Sequence, residues 1–285
     1  MNEIVYLNGS FVPLSDAKIS VTDYGFLFGY TLYETTRVYG GKIFRLNEHL
    51  ERLKQACEKV AIPADIQGYK KAILETITRN PMPNGRMRLT TSLGAGSPAL
   101  DVKSCQSPTV FIYVVPYHPF AAEVYEKGLN VTISRFRRNS QSWVPSLKAA
   151  FFMESILAKN QAKEMGFDEA LLLNDKGLVA EASSSNVFVV SGGVLKTPKL
   201  GNGLLPGITR QVVLELTARL GLKYAETDIW PSELSSAEEV FISNSMLEIM
   251  PVTRIEGKAA GTGHPGQITR CLMTAYNELV KQELG

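Results

Sequence analysis

The chain is poor in cysteine and histidine. Cys57, Cys105 and Cys271, and His49, His118 and His264, are scattered over 285 residues. They form no CxxC and no metal-ligand spacing, so no metal centre and no Cys–His nucleophile pair is expected. An odd number of dispersed thiols suits a reducing cytosol and predicts a cytoplasmic protein. Also missing is any apolar run near the ~20 residues that span a bilayer. The opening MNEIVYLNGSF lacks the basic and apolar regions of a secretory signal. Charge of one sign is scarce too: the net charge is +2, without a Lys/Arg-rich run, which argues against nucleic acid or an anionic membrane as partner. There is no internal repeat and no low-complexity segment.

What remains is a globular chain long enough for two cores. Ile4–Leu7 and Phe11–Val12 read as a hairpin across Asn8–Gly9. Tyr30–Tyr39 reads as a strand turning at Gly40–Gly41. Asn47 is the expected cap of a helix running to about Val60, with Leu46, Leu50, Leu53 and Ala56 or Cys57 as its buried stripe. Gln67–Arg79 reads as a second helix, and Arg86–Gly94 and Thr109–Pro116 as strands. The two prolines of Pro116–Ala122 mark a boundary. It divides a smaller N-terminal domain, 1–117, from a larger one, 123–285, with 118–122 as linker. Beyond it, strands are expected at Leu129–Ser134, Leu171–Leu173, Asn186–Val190, Val240–Ser243 and Ile249–Thr253. Helices are expected at Ala149–Met165, Ile208–Leu220 and Thr269–Glu283. Both halves mix helix and strand, so the fold class is α/β to α+β with two domains.

The stretch WVPSLKAAFFM, 143–153, holds a single charge, Lys148. Either its stem covers apolar surface while the head reaches water, or burial lowers its pKa and leaves a nucleophilic amine suited to a carbonyl. Three weaker features bear on that choice. In LLPGITR, Pro206–Gly207 precede a helix whose first N–H groups, from Ile208 and Thr209, could bind phosphate. No Rossmann or P-loop spacing accompanies it. Glu181 lies beside a buried strand, where it either needs a cationic or N–H partner or is an exposed strand-end carboxylate. Arg52 borders the buried stripe of its helix, free either to reach a phosphate or to pair with Glu48. An aldehyde for Lys148, a ring nitrogen for Glu181 and a phosphate for Thr209 and Arg52 together describe pyridoxal 5′-phosphate.

Several longer motifs run in order along nearly the whole chain. They are YETTRVYGGKIFRLNEHLERL from Tyr33, SLKAAFFMESILAKNQAKEMGFDEALLLN from Ser146, VAEASSSNVFVV from Val179, TPKLGNGLLPGITR from Thr197, EVFISNSMLEIMPV from Glu239 and GHPGQITRCLMTAY from Gly263. The chain resembles the fold-type IV (class IV) pyridoxal-phosphate enzymes: branched-chain aminotransferases, D-amino-acid aminotransferases and 4-amino-4-deoxychorismate lyases. The resemblance implies a two-domain architecture with the cofactor between the domains, and at least a homodimer. It assigns the Schiff-base role to Lys148, the pyridine-nitrogen contact to Glu181, and phosphate contacts to Arg52, Ile208, Thr209 and Ser245. Tyr33, Arg37, Arg88 and Met246 fall near the substrate.

The branches separate on shorter signals. Glu34–Thr35–Thr36–Arg37 stands where branched-chain enzymes usually have Glu-Gly-Ile-Arg. Ser245–Met246–Leu247 stands where they have Thr-Ala-Ala. Both look more like the lyases, whereas GHPGQITR and LLPGITR look like the branched-chain group. GAGSPALDV lacks the Arg-x-His pair of the D-amino-acid enzymes. Phe151 and Phe152 replace the family's Asn-Tyr pair, whose hydroxyl meets the cofactor's phenolic oxygen. The expectation is a transaminase moving an amino group between a small, branched-chain-like amino acid and a 2-keto acid. The alternative is a lyase releasing pyruvate and 4-aminobenzoate, ahead of a D-amino-acid or (R)-amine transaminase.

Overall fold

A computed structural model describes residues 3–285. Two compact units emerge. The first runs to His118 and also includes Leu147–Phe151 and Leu284; the second holds Pro119–Ser146, Phe152–Glu283 and Gly285.

In the first unit, β1 (Ile4–Leu7) and β2 (Ser10–Pro13) form the hairpin read from Asn8–Gly9. A short helix, α1 (Tyr24–Phe28), precedes β3 (Thr31–Tyr39) and β4 (Lys42–Ile43). Then come α2 (Leu46–Lys59), α3 (Ile66–Arg79), β5 (Asn84–Ser92) and β6 (Thr109–Pro116). The six strands make an antiparallel sheet in the order β2-β1-β6-β5-β3-β4. One face carries Leu32, Val38, Met87, Leu89, Ile112 and Val114. These pack with Leu50, Leu53, Ile73 and Ile77 of the two long helices in one buried cluster. The strand period of two therefore sends Tyr33, Thr35, Arg37, Arg86 and Arg88 to the opposite face.

Asn47 is not the cap of α2. Arg45 occupies that position in a left-handed conformation, φ 56°, and Asn47 lies in the first turn, accepting from Lys70 Nζ at 2.8 Å. Leu50, Leu53, Ala56 and Cys57 of the predicted stripe are buried, together with His49, while Leu46 is half-buried.

The stretch after Lys148 also departs from expectation. The helix begins at Met153 rather than Ala149, because the backbone of 148–150 is engaged elsewhere. Tyr33 N–H donates to the Lys148 carbonyl and Ala150 N–H to the Thr31 carbonyl, both at 2.9 Å. The segment thus covers the edge of β3 that β4 leaves open, an edge that sheets otherwise protect by other means. Its apolar neighbours do not bury the lysine: Trp143, Val144, Phe151 and Met153 are exposed.

The second unit follows with α4 (Ala122–Lys127), β7 (Leu129–Arg138), α5 (Met153–Glu164), β8 (Glu169–Asn174), β9 (Val179–Ala182), β10 (Asn186–Ser191), β11 (Val194–Pro198) and α6 (Ile208–Arg219). It is completed by β12 (Tyr224–Thr227), α7 (Pro231–Ser235), β13 (Glu239–Asn244), β14 (Glu248–Ile255), β15 (Lys258–Ala259) and α8 (Gln267–Leu284). Its mixed sheet has the order β12-β11-β10-β13-β14-β7-β8-β9, with β15 beside β14. β7 runs to Arg138, four residues past the expected end. β9, β11 and β12 are strands that the sequence patterns missed. No helix among the described residues is long and apolar enough to cross a membrane.

Candidate active site

In the first unit the reactive candidate is Lys148. Its ammonium nitrogen sits 4.8 Å from the centre of the Tyr33 ring, and the guanidinium of Arg88 lies 3.8 Å from the same centre. Both are cation–π distances. Burial pushes the Tyr33 phenol up to about 12, against the pull of Arg88, so it stays a protonated donor at neutral pH.

Behind Tyr33, on the helix side of β3, is a buried charge group that the sequence only half revealed. Arg52 does not pair with Glu48, which meets Arg45 instead at 3.1 Å. Arg52 grips Glu34 with two nitrogens, Nε to Oε1 at 2.9 Å and Nη2 to Oε2 at 2.7 Å. His49 Nδ1 also lies 2.7 Å from Glu34 Oε2. Burial alone would raise the Glu34 pKa, but Arg52 and His49 overcome it and hold the carboxyl at about 2. Burial pushes the His49 pKa down, so the imidazole is neutral at pH 7, a neutral donor to Glu34. Arg52 is therefore the counter-charge. Glu34 thereby fixes the plane of the guanidinium through Nε and Nη2.

In the second unit Glu181 is neither exposed nor at a strand end. It lies within β9, buried, opposite Leu172 of β8. Arg138, at the end of β7, donates from Nε to Glu181 Oε1 at 2.9 Å and from Nη2 to Ser155 Oγ at 2.7 Å. The Leu205 N–H reaches Glu181 Oε2 at 3.2 Å. Sequence reasoning missed Arg138. The only available signal was the rule that a buried carboxylate needs a cation, and the 43 positions between the two residues hid which one.

Ile208 and Thr209 are buried at the start of α6, whose cap, Gly207, contributes no side-chain hydrogen bond. The first N–H groups of such a helix have no partner within it and attract anions. A Cβ on Gly207 would come within 2.0 Å of Asn186 Oδ1, so only glycine fits. Asn186 is itself fixed by donating to the Leu205 carbonyl at 2.9 Å. Ser245 and Met246 lie in the turn joining β13 to β14. The Asn244 carboxamide shapes that turn by accepting from the Met246 and Leu247 N–H groups at 2.8 and 2.7 Å. The expected site residues thus fall into two groups. Lys148, Tyr33, Arg37, Arg52 and Arg88 belong to the first unit, and Glu181, Ile208, Thr209, Ser245 and Met246 to the second.

The family profile described as amino-transferase class IV matches residues 31–255. The chain is 36% identical to the putative branched-chain-amino-acid aminotransferase of Methanocaldococcus jannaschii, over 96% of each chain. It is 32% identical to the aminodeoxychorismate lyase of Bacillus subtilis, over 98% of this chain and 95% of that one. Among solved structures, the branched-chain amino acid aminotransferase of Escherichia coli superposes with a TM-score of 0.93 at 27% identity, covering 98% of this chain and 95% of that one. With most of its length inside the profile and relatives matching end to end, the chain belongs to the class IV aminotransferase family.

Proposed function

We propose that the protein is a pyridoxal-phosphate-dependent transaminase, exchanging an amino group between a small, branched-chain-like amino acid and a 2-keto acid. The observation that carries the cofactor assignment is Glu181: a buried carboxylate held by Arg138 and the Leu205 N–H, a charge built to face a protonated ring nitrogen. The other residues fit the same molecule. Lys148 offers the amine for the aldehyde; the Ile208 and Thr209 N–H groups, Ser245 and Arg52 offer donors for the phosphate. When bound, pyridoxal phosphate supplies a carbonyl that captures the substrate amine and an electron sink for the charge left at Cα.

The chain's own residues do the rest. With pyridoxal phosphate bound, the Lys148 amine would take the proton from the substrate Cα and deliver it to the former aldehyde carbon, on the far side of the intervening nitrogen. Arg138 orients the Glu181 carboxyl through its Nε hydrogen bond, and Glu181 would be the partner of the ring nitrogen. Lys148 and Arg88 both sit against the Tyr33 ring, so the amine has a phenol donor beside it and a cation within reach of the same ring, groups suited to a substrate carboxylate. Arg37 and Met246 complete the substrate contacts in this reading. The assembly is a cytosolic homodimer with the smaller domain at 1–117.

The lyase reading draws on two observations: Thr35 and Thr36 stand in β3 where branched-chain enzymes carry Gly-Ile, and the Bacillus subtilis relative at 32% identity is named a lyase. One experiment separates the two. Purified protein is reduced with borohydride and Lys148 examined by peptide mass spectrometry. Turnover is then measured with L-branched-chain amino acids and with aminodeoxychorismate. A pyridoxyl mass on Lys148 with keto-acid formation is expected. Pyruvate and aminobenzoate without transamination would move the assignment to the lyase, and an unmodified Lys148 in coloured protein would overturn the cofactor assignment.

A further inference from the structure

Lys148 is held to the first unit by a short ladder. Residues 148–150 lie against Thr31–Tyr33 of β3. The Tyr33 N–H donates to the Lys148 carbonyl, the Ala150 N–H donates to the Thr31 carbonyl, and Leu32 and Ala149 are bridged between them. A pairing of that length opens easily unless side chains close it. On the N-terminal side Leu147 does so. It is 8% exposed and belongs to the core cluster of Leu32, Leu50 and Leu53, and Ala149 packs on the same cluster. The strand period of two then sends the Lys148 side chain to the opposite face, against the Tyr33 ring.

On the C-terminal side the chain leaves that core, and Phe151 is 66% exposed. Its ring nonetheless has a definite seat, the bare backbone of Gly29. A Cβ on Gly29 would come within 2.8 Å of Phe151 Cε2 and 3.2 Å of Cδ2. Gly29 also ends α1 in the left-handed conformation, φ 67°, so glycine is required there both by the backbone and by the ring. The seat is itself anchored. Asp23 caps α1 by accepting from the Gly25 N–H at 2.7 Å, and its other oxygen accepts from the Thr109 hydroxyl of β6 at 2.6 Å. The N–H of the buried Tyr24 donates to the Gly94 carbonyl at 2.9 Å. The Gly29 carbonyl accepts at 2.7 Å from the N–H of Thr31, the residue whose own carbonyl takes the Ala150 bond of the ladder.

We propose that Phe151 is a positioning residue for Lys148. By resting on Gly29, its ring closes the end of the ladder that the core does not reach, and so keeps the lysine backbone on β3 and the amine against Tyr33. An asparagine at 151, the usual residue of the family, lacks the ring that covers Gly29. The proposal rests on the reading of Lys148 as the reactive amine; the clamp itself requires only the first unit. Leu147 cannot be cut back without opening the core, whereas Phe151 can.

Site-resolved hydrogen exchange of the holoenzyme reads the ladder directly. In Phe151→Ala the Tyr33 and Ala150 amides are expected to exchange at least ~10-fold faster than in wild type, while the amides of the β5–β6 pairing and the urea midpoint stay where they are. Phe151→Leu, which keeps an apolar cover on Gly29, should recover most of the protection. In Phe151→Ala kcat should fall about tenfold with KM little changed, and the pH midpoint of the visible absorption of the bound cofactor should move, a pair of effects that lost stability alone does not produce. Unchanged exchange at Tyr33 and Ala150 in Phe151→Ala would overturn the clamp. Faster exchange with unaltered kcat and absorption would overturn its positioning role. Faster exchange in a protein whose Lys148 takes no borohydride-fixed label would instead sink the reading of Lys148 as the reactive amine and leave the clamp standing.

Discussion

Replacing Glu34 by glutamine tests how the first unit tolerates its buried charges. Glu34 and His49 are almost wholly buried, and the Arg52 side chain is 12% exposed. The Glu34 pKa falls from an ordinary 4.5 to about 2. At 1.36 kcal/mol per pH unit, the difference is worth about 3 kcal/mol at pH 7. The sign follows from the direction. A carboxylate with a depressed native pKa stabilises the fold above pH 4.5, and that contribution is lost as pH falls toward 2. Linkage leaves somewhat less than half of it at pH 3, about 1 kcal/mol. Glu34→Gln keeps the shape but leaves the Arg52 guanidinium without its carboxylate, so a loss of about 3 kcal/mol is expected at neutral pH. Both tryptophans, Trp143 and Trp230, lie in the second unit, so their fluorescence is the wrong probe. Urea unfolding followed by far-UV circular dichroism gives the magnitude. Hydrogen exchange at pH 7 over Thr31–Tyr39 and Leu46–Lys59 gives the location. Wild type and Glu34→Gln should differ by about 3 kcal/mol at pH 7 and by about half that or less at pH 3. Equal midpoints at pH 7, or a gap that does not narrow in acid, would refute the reasoning.

His49 should show the neighbouring titration. Its pKa lies below 6.5 in the native state, so its neutral form stabilises the fold at and above neutrality and that stability is lost as pH falls below 6.5; urea midpoints of His49→Gln should therefore vary less than wild type between pH 7.5 and 5.5. Arg138→Met should strip Glu181 of its cation and cost about 3–5 kcal/mol, read by tryptophan fluorescence in the second unit, and should weaken cofactor retention on dialysis. Gly207→Ala should cost about 1–3 kcal/mol through the clash with Asn186, and Asn186→Ala in the same chain should recover part of it. Lys148→Ala should abolish borohydride-fixed label; retained label elsewhere would remove Lys148 from its role.

Local pattern made some elements legible. The α2 stripe, the Asn8–Gly9 hairpin and the start of α6 each depend on residues within one or two turns of one another. The same locality explains the misses. Asn47 has the right chemistry for a cap, but the chain enters α2 through a left-handed Arg45 that no side-chain preference announces. Residues 149–152 have helical composition, yet a backbone ladder to Thr31 and Tyr33 engages 148–150 from over a hundred positions away and delays the helix to Met153. β12 reads YAET, half-exposed at a sheet edge, with no alternation to detect. In the candidate site, Lys148 and Glu181 stood out because a charge among apolar residues demands an explanation. Their supporting residues did not: Glu34 is 18 positions from Arg52 and Arg138 is 43 from Glu181.

The ladder that places Lys148 also governs how the chain can change in length. Between the end of β7 at Arg138 and Leu147 the chain carries only a short 3-10 turn, so residues gained or lost there can be absorbed without moving the lysine. Between Lys148 and Ala150 no such slack exists. One residue inserted there would break the pairing with β3 or turn the amine to the other side of the strand. Variation in this lineage should therefore collect before Leu147 and stop at the ladder, and a library of insertions scanned across 139–152 would show that edge as an abrupt loss of tolerance.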